Sequence, residues 1–188
     1  MSPLPGPPIL FVTSNPGKAR EASRLLGQEV FARPLPLHEI QSLDFEEVVR
    51  AKAVAAARAL GEPVLVEDSG LSVAAWNGFP GPLTRWLTEA VGEAGLARML
   101  DPFPDRSAEA VSALGLARPG EGEPEVLVAV GRVAGRIAAA PRGSNGFGWD
   151  VVFVPGGATR TFAEMAIEEK ERDSHRTRAF RELARLLG

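Results

Sequence analysis

The chain has 188 residues, a hydrophobic fraction of 45%, a charged fraction of 24%, no cysteine and a formal net charge of −3. That size and balance suit one sizeable globular domain. The absence of cysteine excludes a disulfide framework or a thiolate metal site and fits a reducing, cytoplasmic compartment. The slight acidity argues against a nucleic-acid-binding protein, which would carry a basic face, and two histidines do not make a multi-histidine zinc site.

Residues 1–8 are proline-rich and lack a basic region or a long apolar run, so they read as a loose tail ahead of a single domain over residues 9–188. No stretch of about 18 apolar residues occurs, so no membrane span is expected. Ile9 to Thr13 reads as a buried strand. A helical stretch follows to Leu26, with Asn15 as its cap, Pro16 in its first turn and Gly27 as its stop. A strand opening into a helix aims free backbone N–H groups at the turn. With the helix dipole and Lys18, Thr13 to Lys18 form a plausible phosphate cradle, although the Walker A spacing is missing.

Phe45 to Leu60 is a second helix stopped by Gly61. Lys52 lies four residues after Val48 and three after Val49, on the apolar face. Either it snorkels to water or it points into a cleft towards an anion. Pro63 to Glu67 reads as a strand that Asp68-Ser69-Gly70 terminates. Carboxylates at the carboxyl end of a strand suit a hard cation with oxygen ligands, and a plain polar turn is the alternative. Glu39 is a second candidate ligand.

Asn77 to Pro82 is a turn cluster, and Leu83 to Leu100 a helix interrupted near Gly92 and Gly95. Ala108 to Ala117 and Val126 to Ile137 pair as strands around a polar loop. Gly143 to Gly148 is a glycine-rich loop ahead of a short strand, Val151 to Val154. Its Phe147 and Trp149 suit base stacking, or else core packing. Lys170, His175 and Arg176 gather near the start of the last helix, Ser174 to Leu187, where the dipole disfavours cations. That placement points to an anionic or carbonyl-bearing partner, or to a solvated basic turn balanced by Glu168, Glu169, Glu171 and Asp173. The alternation of strands and helices indicates an α/β protein with a long mixed sheet.

Taken together, six ordered blocks resemble a known family. They are Thr13 to Lys18, Glu67 to Leu71, Gly78 to Pro82, Gly146 to Asp150, Thr161 to Met165 with Glu169-Lys170, and Ser174 to Arg176. The chain resembles the inosine triphosphate pyrophosphatases from Leu10 to Leu187. The resemblance implies two lobes around a long mixed central sheet, with the active cleft between them. It also implies a homodimer, Mg2+ dependence, and hydrolysis of non-standard purine nucleoside triphosphates such as ITP, dITP and XTP to the monophosphate and pyrophosphate.

By the same resemblance Glu39 and Asp68 hold the metal, and Asp68 orients or deprotonates the attacking water, with Glu67 assisting. Thr13, Ser14, Asn15, Lys18 and Lys52 hold the phosphates, with Ser69 close by and Lys52 counted as catalytic with Asp68. Phe147, next to Gly148, stacks on the base. Trp149, Asp150, Lys170, His175 and Arg176 surround base and sugar, and donors from His175 and Arg176 select the 6-oxo edge. Two alternatives stand beside this reading. Maf-like pyrophosphatases open with a serine-rich, arginine-paired turn unlike Asn15-Pro16-Gly17-Lys18. A non-catalytic nucleotide-binding module would need no metal carboxylates.

Overall fold

The structure is a computed structural model, and it describes residues 10–27 and 29–188. The expected tail, residues 1–8, and Ile9 lie outside the described residues. The described part contains β1 (Leu10–Val12), α1 (Pro16–Leu26), β2 (Phe31–Arg33), α2 (Phe45–Leu60), β3 (Val64–Val73), β4 (Pro80–Gly81) and α3 (Thr84–Met99). It continues with β5 (Ser107–Arg118), β6 (Glu125–Ile137), β7 (Phe153–Pro155), α4 (Ile167–Arg172) and α5 (His175–Leu187). The chain punctuation acts as its chemistry requires. Asn15 and Asp44 cap α1 and α2 through their side-chain oxygens, and Gly27 and Gly61 end those helices at φ 62° and 67°. Gly92 breaks α3 with a non-helical φ of 71°, while Gly95 stays helical and buried.

Among the described residues one seven-stranded mixed sheet runs β2-β1-β3-β5-β6-β7, with β4 on β3. β1 is parallel to β2 and β3, and the remaining pairs are antiparallel. The strand expected to stop at Glu67 does not stop. It continues through Asp68-Ser69-Gly70 to Val73, because β5 pairs with it without interruption from Val64↔Ala117 to Val73↔Ala108. Long-range pairing overrides the turn-forming character of those three residues. The short strand near Trp149 also differs. Val151 belongs to a 3-10 helix, Gly148–Val151, and the strand is Phe153–Pro155.

Strand pleat assigns the faces. Val64 and Val66 of β3, with Val111, Ala113 and Ala117 of β5, pack beneath α2. Leu65, Leu114, Leu116 and Ala129 face the other way, against α1 and α5. Further along that second face a separate core gathers Leu71, Val73, Ala108, Ala110 and Val133 with Leu96 and Leu100 of α3. Between these two apolar cores, on the same face, sits a belt of buried polar side chains. It includes Glu67, Ser112, His175 and Arg176.

Candidate active site

The opening lies at a gap in the sheet. On the side of β3 away from β5, β1 pairs only as far as Val66 and β4 begins only at Leu71. Glu67 to Gly70 therefore have no strand beside them on that side. The gap faces the carboxyl end of parallel β1, the place where open α/β sheets receive ligands. Asp68 was thus expected at a strand's end. It stands instead where its parallel neighbour ends, which leaves the same kind of opening.

The turn from β1 to α1 borders the gap. Thr13 Oγ1 accepts from Asn15 N at 3.1 Å, and Asn15 Oδ1 accepts from Gly17 N at 2.8 Å and Lys18 N at 3.3 Å. The expected set of free N–H groups is therefore smaller than the sequence suggested, because the cap consumes two of them. What remains at the turn for an anion is the exposed Ser14, the Asn15 amide, the helix dipole and Lys18. Burial lowers the Lys18 pKa, against the pull of Glu67 and Asp68, which favour the charged amine.

Period-two alternation sends Asp68 to the α2 side and Glu67 to the α5 side. Burial raises the Asp68 pKa, against Lys18 and Lys52, which favour its ionised form, while Glu39 adds to the rise. Asp68 Oδ2 is buried with no hydrogen-bond partner among the described residues. Lys52 neither snorkels freely nor faces an empty space: its Nζ pairs with Glu39, whose Oε1 lies 2.5 Å away. Among the described residues no cluster of three or more acidic or histidine side chains is poised around a metal. An orphaned carboxylate oxygen with a second carboxylate nearby nonetheless fits Mg2+, which takes one or two carboxylates and completes its shell with water and phosphate.

At the other end the expected cations are not solvated. Lys170 and Arg176 are buried, and their counterions are Glu21, Glu67 and Asp150. The acids expected to balance them lie elsewhere. Glu169 binds Arg160, Glu171 binds Arg24, and Asp173 binds Arg178 and Arg181. Burial opposes the Arg176 charge, but Glu67 and Glu21 overcome it and hold its pKa above the ordinary value. Burial likewise opposes ionised Glu67, and Arg176 and Lys18 overcome it. Asp150 Oδ2 accepts from Lys170 Nζ at 2.7 Å and from Phe147 N at 2.9 Å, which pins the glycine loop to α4.

The Phe147 ring lies 5.3 Å from the Arg176 guanidinium and 5.4 Å from Lys170 Nζ. It also rests on the first turn of α1, where a Cβ on Gly17 would come within 2.6 Å of its Cδ1. One aromatic ring thus bridges the first turn of α1 and the buried cations. Gly148 follows it at φ 54°. Half-buried Trp149 packs edge-on to Phe153 at 5.9 Å and lies 5.0 Å from His175. His175 is buried between Trp149 and Phe162, and neither ring nitrogen has a hydrogen-bond partner among the described residues. Burial and the nearby Arg176 and Lys170 hold its pKa well below 6.5. Ser69 pairs in register with Ser112, on the Glu67 face.

Sequence reasoning had passed over Glu21 and Ser112. Glu21 lies four residues after Gly17 and beside Ala22, on the buried side of α1. Like Lys52, it is a charged residue on the buried face of a helix. Ser112 is a polar residue inside the apolar run of β5.

Fold and site together define an α/β protein with paired cationic and acidic side chains gathered at a gap in its mixed sheet. The chain belongs to the Ham1 family, whose profile matches residues 9–186. It is 43% identical over 179 residues to the dITP/XTP pyrophosphatase of Methanopyrus kandleri, covering 94% of each chain. It is 44% identical over 178 residues to the inosine triphosphate pyrophosphatase of Yarrowia lipolytica, covering 93% of each. Among solved structures, a HAM1 protein from Coxiella burnetii superposes with a TM-score of 0.79 at 33% identity, over 95% of this chain and 97% of that one.

Proposed function

We propose that the protein hydrolyses non-standard purine nucleoside triphosphates, of the ITP, dITP and XTP kind, to the monophosphate and pyrophosphate, with Mg2+ as cofactor. One observation carries the reading. The gap beside Glu67 to Gly70 has carboxylates and lysines at one end and a buried arginine–lysine pair under Phe147 at the other. A triphosphate needs the first and an oxo-purine the second. Kinship with the M. kandleri and Y. lipolytica enzymes supports the same substrates.

In this mechanism a water oxygen bonds to the α-phosphorus, the α–β anhydride bond breaks, and pyrophosphate leaves. Asp68 orients that water and, with its pKa raised, takes its proton. Lys18, Lys52, Ser14 and Asn15 hold the phosphates and meet the charge that develops on the leaving oxygens. Mg2+ held by Asp68 and Glu39 would supply further charge neutralisation there. Phe147 stacks on the base, with Trp149, Asp150 and His175 around it. Arg176 and Lys170 donate to the 6-oxo group, and an amino group in its place leaves those donors unpaired. A homodimer and a cytoplasmic setting complete the proposal, on the strength of the family resemblance and the cysteine-free composition.

Pyrophosphate release, with and without Mg2+, from ITP, dITP, XTP, ATP, GTP and a pyrimidine triphosphate tests the reading. Turnover confined to the oxo-purines and dependent on Mg2+ is expected. Preference for the pyrimidine would favour the Maf-like alternative, and binding without release a non-catalytic module. Sedimentation tests the dimer.

A further inference from the structure

Glu67 stands next to the candidate metal carboxylate in the chain but not in space. The pleat of β3 turns it to the opposite face of the sheet, towards α5. There it is buried and fully engaged. Its Oε1 accepts from Ser112 Oγ at 2.9 Å and from Arg176 Nε at 2.9 Å, and its Oε2 from Arg176 Nε at 3.1 Å. Arg176 Nη2 also lies 2.9 Å from Oε1. Glu21 grips the guanidinium from the other side through Nη1. To reach a metal beside Asp68, Glu67 would have to abandon a buried arginine and leave that charge without its partner, which is strongly destabilising.

We infer that Glu67 is a positioning residue for base selection: it sets the plane of the Arg176 guanidinium, and through it the base edge the cleft accepts. The reason is geometric. A guanidinium is a rigid planar fork, so fixing Nε and one Nη fixes the direction of every N–H that remains. Ser112, anchored on β5, fixes the carboxylate in turn, so the arginine is oriented from the sheet and not by its own flexible stem. The remaining N–H groups on Nη1 and Nη2 then keep one direction whether or not a base is bound, and an oxo group meets donors already aimed.

This inference rests on the functional reading above, and the test separates the two. The wild type and Glu67→Gln are compared for pyrophosphate release from ITP and ATP across a Mg2+ titration. The substitution keeps the shape and removes the charge. The ITP-to-ATP ratio of kcat/KM is expected to fall about tenfold, mostly through a higher KM for ITP, with the Mg2+ concentration for half-maximal activity unchanged. An unchanged ratio, with or without a lower melting temperature, overturns the positioning role. So does a Mg2+ requirement raised about tenfold at constant ratio, which would make Glu67 a metal ligand. If Glu67→Gln does not fold, Glu67→Asp is read by the same two constants. It keeps the charge and withdraws it by one methylene, so a ratio lowered about threefold is expected, and an unchanged ratio again overturns the inference. A wild type that releases no pyrophosphate from ITP sinks the functional reading itself, and the inference with it.

Discussion

The contact between α5 and β6 is the most exposed to a single test. Gly131 of β6 lies directly under the start of α5. An added Cβ would sit 2.1 Å from the His175 carbonyl oxygen, 2.3 Å from Ala179 N and 2.9 Å from the Arg178 carbonyl carbon. All three are backbone atoms, so no side chain can swing aside. Real Cβ atoms keep at least 3.0 Å from such neighbours, so Gly131→Ala must lift the helix by at least about 0.9 Å. Gly131 is not among the glycines at positive φ, so the penalty is steric and not conformational.

The helix it lifts carries Ala179, Phe180 and Leu183 in the core and Arg176 in the buried ion pairs. Overpacking commonly costs about 1–3 kcal/mol, and a site with no flexible neighbour belongs at the top of that range. For a chain of this size about 3 kcal/mol corresponds to a fall in Tm of roughly 6–12 °C. Displacing Arg176 by nearly an ångström should also raise the KM for ITP about tenfold or more. The assay is thermal unfolding followed by steady-state kinetics. Gly122→Ala serves as the control, because nothing lies within 4 Å of its added Cβ and it should unfold with the wild type. A Gly131→Ala protein melting within about 2 °C of the wild type would refute the docking of α5 described above.

Other perturbations separate function from fold. Asp68→Asn should lose most turnover, by about a hundredfold or more, while circular dichroism and Tm stay near wild type; near-normal turnover would remove Asp68 from the chemistry. Lys52→Met breaks a half-exposed pair with Glu39, so stability should change by less than about 1 kcal/mol. Turnover should nonetheless fall steeply, and denaturant titration beside kinetics checks both halves.

His175 is neutral when folded, and unfolding lets it take up a proton below about pH 6.5. The unfolded state then binds more protons, so stability drops as pH falls through that region, approaching about 1.4 kcal/mol per pH unit from this group alone. His175→Phe should lose that part of the slope between about pH 6 and 5, measured by urea unfolding. Equal slopes would mean that His175 is not buried neutral. The depressed Glu67 and Asp173 carboxylates act in the same direction at lower pH, from the ordinary carboxylate range downward.

Much of this molecule was written locally. Asn15, Pro16 and Gly27 set the bounds of α1, and Asp44 and Gly61 those of α2, because caps and stops act within one turn of chain. The long strands β5 and β6 were legible for the same reason, as apolar runs bounded by a polar loop. The candidate residues stood out through the resemblance of six ordered blocks to a family, and Lys52 also by its place on an apolar helix face. What the chain could not display locally was decided by partners distant in sequence. Asp68-Ser69-Gly70 looks like a turn and is strand, because β5 holds it in register. Lys170 and Arg176 look like a solvated basic turn, and they are buried because Glu21, Glu67 and Asp150 arrive from three other elements. The separation of Glu67 from its neighbour Asp68 follows from strand pleat. Once those residues are strand, adjacent side chains must part to opposite faces, and only the assembled sheet shows what each one meets.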